Sequence, residues 1–284
     1  MEINVRTDLA SEAHRDFTKA KDPSGLSGVI AREETLNGFS LYAVEIINDK
    51  GAQALKKPVG KYYTLEPERF FARGSESFAP AAEAVAQLIQ NCFGESAPAS
   101  VLVAALGNPD ITPDALGPLT ASHLLVTRHL KHSGNPIFSS FHSLSLCRTG
   151  VLGTSGIESA LHIKTLCDML KPDWVIAIDA LAGSDPERLC RTIQVNSAGV
   201  APGSGIGNDR EELSLAYLGV PVIGIGVPTV IDSELFGSGG NKPMFVTPRN
   251  IDSLVRSAAR LIAYGINLAV HKGISIGDID MLIG

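Results

Sequence analysis

The sequence predicts an α/β protein in three layers, a mostly parallel sheet with helices on both faces and a hairpin region at the amino terminus. Three observations carry this prediction. Val101 to Leu106 (VLVAAL) and Trp174 to Ile178 (WVIAI) are unbroken apolar runs, the pattern of strands buried on both faces. Each follows a stretch with apolar residues spaced at three and four, as in an amphipathic helix. The first run breaks at Gly107-Asn108 into a polar loop that ends at Pro118, a residue suited to the first position of a helix.

In chain order, residues 1–25 are polar and punctuated by Gly, Pro and Ser, and read as a loosely attached arm. Gly28 to Arg32 and Phe39 to Ile47 form a hairpin across Asn37-Gly38, two residues that tolerate positive φ. Lys56, Lys57 and Lys61 read as a solvated turn, with a groove for acidic substrate as the alternative, and Tyr62 to Leu65 is a short strand. Phe78 to Phe93 is a helix that buries Ala81, Val85, Leu88, Ile89 and Phe93. The helix from Pro118 is expected to reach about His132; of its histidines only His129 and His132 share a face, which suits surface residues better than metal ligands. Ser155 and Glu158 fit a capping box, opening a helix that turns Ile157, Leu161, Leu166 and Leu170 inward. Thr192 to Val195 is a short strand, Glu211 to Leu218 a short helix and Pro221 to Val227 a third core strand. Ser233 to Pro243 is a glycine-rich connection expected to be mobile, and Thr247-Pro248 starts a last helix burying Ile251, Leu254, Val255, Ala258, Leu261 and Ile262.

Composition narrows the function. The 284 residues carry a formal charge of -6, and the isoelectric point is about 5.6. That balance argues against the broad basic footprint of a protein that holds DNA, though not against a partner that does. Cys92, Cys147, Cys167 and Cys190 form no CxxC pair, so neither a zinc site nor a disulfide framework is signalled, and Cys92 and Cys167 fall on helix core positions. The amino terminus has no apolar signal core, and the longest apolar run, Leu218 to Ile231, is broken by Gly and Pro. A soluble cytoplasmic protein is expected.

Two aspartates carry the chemistry. Open α/β sheets keep their sites in the loops beyond strand ends, and Asp114 lies in such a loop, with Asp110 nearby, while Asp179 stands at the carboxyl end of the WVIAI run. If the two strands are parallel neighbours, Asp114 and Asp179 point into one crevice. Two unit charges about 4 Å apart at an effective dielectric near 20 repel by roughly 4 kcal/mol, splitting their ionisations by about 3 pKa units. One carboxyl then keeps a proton while the other is ionised, as a general acid and a general base require. The alternative is that each Asp caps a helix or closes a turn. His142, in a loop before Gly150, could join the two aspartates as a metal ligand. The glycine-rich stretch Gly199 to Asn208 lacks the Gly-Lys-Ser/Thr of a phosphate loop. Its Gly203, Gly205 and Gly207 either form a structural turn or present amides to a peptide or developing oxyanion.

Several segments resemble the spore germination protease family: VRTDLA, GNPDITPDALGP, LLVTRHL, GVLGTSGIE, KPDWVIAIDALA, TIQVNSAGVAPGSGIGNDREELS and LGVPVIGIGVPTVID. The resemblance runs from Arg6 to about Asp232 and from about Phe245 to the end of the last helix. It implies an endopeptidase of atypical aspartic type, with Asp114 and Asp179 catalytic and no cofactor. It also implies a zymogen that removes its own amino-terminal segment by cutting after an aspartate, here at Asp8-Leu9. Residues 1–8 would then be the pro-segment and residues 9–284 a single α/β peptidase domain. Further implications are substrates among the small acid-soluble, DNA-coating proteins of spores, cleavage after acidic residues during germination, a homo-oligomer in the forespore or spore core, and no direct contact with nucleic acid or membrane. The pro-segment is shorter than family members often carry, and a long insertion they have after Asp232 is missing. The pattern Gly107-Asn108, Asp114, Gly117 is also similar to that of the hydrogenase-maturation endopeptidases, with their phosphorylase/hydrolase-like fold. That likeness implies a metal-dependent peptidase as a rival reading, and a catalytically silent homologue or binding protein is a third.

Overall fold

The chain is described by a computed structural model over residues 7–20, 26–67, 70–95, 98–132, 138, 141–203, 211–232 and 244–283. The hairpin forms as expected: β1 (Val29–Leu36) and β2 (Phe39–Ile46) are antiparallel, joined by Asn37 and Gly38 at φ of 50° and 87°. It is not a separate region. β2 pairs with β3 (Gly60–Glu66), which pairs with β7 (Ile193–Asn196), which pairs with β8 (Val222–Asp232), all antiparallel. β8 then runs parallel to β6 (Trp174–Gly183), β6 to β4 (Ser100–Leu106) and β4 to β5 (Ser143–Gly150). The sheet order is β1-β2-β3-β7-β8-β6-β4-β5, with the short β9 (Phe245–Val246) antiparallel on β8. Parallel pairing is thus confined to the half built from the unbroken apolar runs, because buried parallel strands need both faces covered.

Helices cover both faces. α3 (Phe78–Phe93), α4 (Leu116–Ala121) and α8 (Ile251–Val270) pack on one, against Val101, Val103, Ile176, Ile178, Ile223 and Ile225. α6 (Ser159–Leu170) and α7 (Leu215–Leu218) cover the other, against Leu102, Ala104, Val175, Ala177 and Val222. α1 (Ala10–Ala20) and α2 (Asp49–Leu55) lie by β2 and β3. The strand alternation decides the split: Leu41 belongs to the first cluster, and Tyr42, Val44 and Ile46 to a core with Ala10 and Leu55. Two further helices are α5 (Leu152–Ser155) and α9 (Ile276–Ile283). Cys92 and Cys167 are buried in helices as expected.

Several expectations need correction. Where it is described, the arm is not loose: Leu9, Ala10, Ser11 and Glu12 are buried, and α1 starts at Ala10. The helix after Pro118 ends at Ala121 rather than near His132. Beyond it, Asn267 on α8 accepts from the Leu125 amide at 3.0 Å and donates to the His123 carbonyl at 2.9 Å, so tertiary bonds replace helical ones. His129 and His132 fall on a separate 3-10 turn, Arg128–His132. No Ser155/Glu158 capping box forms. Ser155 ends α5, Gly156 (φ 69°) breaks the chain, and Glu158 precedes α6 without a side-chain cap. Ala160, Ile163 and Cys167 face inward, Leu166 and Leu170 pack against the same side as expected, and Ile157 and Leu161 are 48% and 54% exposed. Of Glu211 to Leu218 only the last four residues are helical, since Leu213 instead bridges Val200. Thr247 donates to the Thr229 carbonyl at 2.9 Å and caps nothing; α8 begins at Ile251. Ser233 to Pro243 lies outside the described residues.

Two features of α8 give measurable consequences. A Cβ at Gly265 would stand 2.4 Å from Cγ1 and 2.7 Å from Cβ of Val85 on α3. Gly265→Ala gains up to about 1 kcal/mol of helix propensity, but overpacking of this kind costs about 1–3 kcal/mol. The clash wins, and urea unfolding will show a lower midpoint for the variant. His271, fully buried, donates from Nε2 to the Leu125 carbonyl at 3.1 Å and stacks on Phe141. Burial pushes its pKa down to about 4, the Leu125 bond opposing and His142 and Lys131 assisting. The unfolded chain therefore binds this proton more readily than the folded one between about pH 6.5 and pH 4. Stability from His271 is complete above that window and is lost through it on acidification, by about 3 kcal/mol. Unfolding free energies at pH 7 and pH 4 will differ by less in His271→Gln than in the wild type.

Candidate active site

β4 is shorter than its neighbour, and this opens the site. The β4/β6 ladder stops at Ala105 opposite Ile178, while β6 continues to Gly183. Asp179 is the next residue, so it lies within β6 rather than at the end of a strand, opposite Gly226 of β8. It is 5% exposed, and its Oδ1 accepts from the Ala180 amide at 3.0 Å.

The loop after β4 turns back toward this point. Gly107 has φ of 104°, and a Cβ there would stand 2.0 Å from the Asp114 carbonyl oxygen; one at Gly117 would stand 2.2 Å from that of Leu106. No larger residue permits that approach. The fold-back ends in the 3-10 turn Thr112–Asp114, where half-buried Asp114 accepts at Oδ2 from the Asn108 amide at 2.8 Å. Asp110 is exposed on the outer part of the turn.

Asp114 and Asp179 line one cleft of about 370 Å³, together with Leu106, Ile111, Leu181, Gly203 and Phe245. Both expected aspartates are therefore brought together in a largely apolar setting, where charges interact more strongly than in water. Gly203 borders the cleft; Gly205 and Gly207 lie outside the described residues. His142 does not join. It precedes β5 at the end where Ser143 faces Ser100, whereas the cleft touches Gly150 at the other end of that strand. At about 3.3 Å per residue the two ends are roughly 20 Å apart. The metal triad of Asp114, Asp179 and His142 is thereby overturned.

A third carboxylate, Asp8, borders the same cleft. Its amide donates to the Ala182 carbonyl at 2.9 Å, and its Oδ2 accepts from the Ala182 amide at 2.8 Å. Gln194 spans the next bond along: its Nε2 donates to the Asp8 carbonyl at 3.1 Å, and its Oε1 accepts from the Ala10 amide at 2.8 Å. Leu9 between them is fully buried. Glu12 secures the segment by accepting from the Ser184 amide and hydroxyl at 2.7 and 2.8 Å, and from the Thr7 hydroxyl. Ser11 accepts from buried Arg188 at 2.9 Å, and Arg188 pairs with Glu66 at 2.6 Å. Lys57 is half-buried rather than solvated; burial lowers its pKa, and the charges of Asp8, Glu12 and Glu212 oppose that shift.

The sequence reading missed Gln194, Glu12 and Arg188. A polar residue within TIQVN, a strand with all four residues buried, is the signal that could have singled out Gln194.

Comparison with known proteins agrees with the family resemblance. Residues 4–240 match the family described as germination protease. The chain is 36% identical to the germination protease of Caldanaerobacter subterraneus subsp. tengcongensis over 323 aligned residues, covering 99% of this chain and 98% of that protein. It is 32% identical to that of Clostridium perfringens strain 13, covering 99% of each. It is 41% identical to that of Geobacillus sp. strain WCH70 over 248 residues, 81% of this chain and 64% of that protein. A solved structure, the [NiFe] hydrogenase maturation protease HycI from Thermococcus kodakarensis KOD1, aligns with a TM-score of 0.35 and 18% identity, over 63% of this chain and 98% of that one. Among the described residues no helix is long and apolar enough to cross a membrane. With a family match over most of its length and full-length relatives above 30% identity, the chain belongs to the germination protease family of spore endopeptidases.

Proposed function

We propose that this chain is made as a zymogen that cuts itself between Asp8 and Leu9, and that residues 9–284 then degrade small acid-soluble, DNA-coating spore proteins during germination. The work is done in the spore core by a homo-oligomer. Asp114 and Asp179 form the catalytic pair. The observation that carries the reading is their convergence on one cleft that also takes Asp8.

The step balances with water as the only co-reactant. The ionised carboxylate takes a proton from water as its oxygen attacks the peptide carbonyl carbon. The protonated carboxyl hydrogen-bonds the developing oxyanion and passes its proton to the leaving nitrogen as the C–N bond breaks. A new acid and a new amine leave, and one carboxyl again holds a proton. Each proton transfer of this kind contributes about 10²–10⁴-fold, and the apolar walls around the pair raise the electrostatic share. Asp8 lines the cleft and is held there by Ala182 and Gln194, which supports inhibition by the segment that carries it.

The test is a time course of the full chain and its Asp179→Asn variant at mildly acidic pH, with the new amino terminus read by mass spectrometry. The wild type will yield a product beginning at Leu9 and then cut an acid-soluble spore protein; the variant will do neither within a span about a hundredfold longer. Equal loss of the arm from both proteins, or no cutting by either, would end the proposal.

A further inference from the structure

Residues 7–9 lead into α1 at Ala10, and each polar contact along them falls on a nameable position. Ala182 reads the main chain of Asp8 through its carbonyl and the carboxylate of Asp8 through its amide. Gln194 spans the Asp8-Leu9 bond, donating to the carbonyl oxygen of that bond and accepting from the amide of Ala10 beyond Leu9. Gln194 is 3% exposed, so its amide is a built part of β7 and not a passing contact. Lys57 follows α2 and borders, with Asp8, Gln194 and Glu212, a second recess.

We infer that Ala182, Gln194 and Lys57 form the subsite that selects an acidic residue, Asp or Glu, immediately before the bond to be cut. Gln194 grips the main chain whatever the sequence, and Lys57 with the Ala182 amide supplies the preference for a negative side chain. These are specificity-determining and positioning groups; they take no part in moving protons. The inference rests on the self-processing reading above, because it treats residues 7–10 as the first substrate.

Charge supports the assignment. Lys57 has lost much of its hydration, and the carboxylates that offset this are Asp8, Glu12 and Glu212. Glu12 is already engaged by Ser184 and Asp185, and Glu212 is exposed. Departure of Asp8 removes the acceptor of the Ala182 amide and one of the carboxylates offsetting the desolvation of Lys57, two losses that an incoming carboxylate makes good and an uncharged amide does not.

The experiment is a double-mutant cycle on the full chain, Asp8→Asn and Lys57→Met alone and together, with Lys57→Arg and Gln194→Ala beside it. Two quantities are read: the rate at which product beginning at Leu9 forms, and, in an Asp179→Asn background that keeps the arm, hydrogen exchange at the Asp8 and Ala10 amides. Asp8→Asn is expected to slow cutting about tenfold or more when Lys57 is present and by less than about threefold in Lys57→Met, which is coupling of contacting groups. Lys57→Arg restores most of the rate. Gln194→Ala slows cutting and speeds exchange at Ala10. Effects of Asp8→Asn and Lys57→Met that simply multiply in both readings overturn the subsite while leaving the protease reading intact. Coupling in exchange without any cutting by the wild type establishes the acid-binding recess and removes the self-processing reading.

Discussion

The close return of the loop after β4 onto its own strand is the constraint on which the site depends. Gly107 and Gly117 meet the backbone at distances no side chain tolerates, the first against Asp114 and the second against Leu106. Their contacts fix the Asp114 carboxyl over the end of β4. The neighbouring β6 is fixed separately, held between β4 and β8 by parallel ladders and covered on both faces. Asp179 therefore inherits the rigidity of the core, and Asp114 that of a loop with no room to move. A carboxylate pair of the proposed kind must be preorganised, and here the parallel half of the sheet does the organising.

The antiparallel half has a different task. β3 and β7 extend the sheet past β8 and present Thr64 and Gln194 to the start of α1, where Arg188 from the turn before β7 joins them. Thr64 and Arg188 both donate to Ser11, and Glu12 takes the amides of Ser184 and Asp185. Polar side chains this deeply buried are costly unless each finds a partner, so the network sets one position for the segment carrying Asp8. The antiparallel side of the sheet thus holds the start of α1, and the parallel side carries the two aspartates proposed as catalytic.

How much of this was legible in the sequence follows from which interactions are local. Buried strands announce themselves by composition, so VLVAAL and WVIAI were placed correctly, and Asn37-Gly38 fixed the hairpin. The joining of Asp114 and Asp179 in one cleft followed from parallel neighbours plus a loop at the strand end, both readable from pattern. What failed was non-local. Asn267 and His271 lie more than a hundred positions from the residues they hold near Leu125, and the helix predicted to reach His132 stops because of them. The arm read as loose because its residues are polar, yet those polar groups meet partners at positions 182 to 194. The same polarity that marks a disordered end marks a docked one when the partners are far along the chain.

The docked arm also has a thermodynamic logic under the proposed processing. Asp8 makes two bonds with Ala182 and one with Gln194, each worth about 0.5–1.5 kcal/mol net and more where the acceptor is charged. While residues 1–8 remain part of the chain, that sum is enough to keep the cleft filled, because the ends are already close and little entropy is lost in closing it. Once the Asp8-Leu9 bond is cut, the same contacts belong to a separate peptide, which must meet an association cost of about 4–15 kcal/mol to return. A few hydrogen bonds are too little for that. The arrangement therefore favours occupancy before the cut and release after it, with no change needed in the contacts themselves.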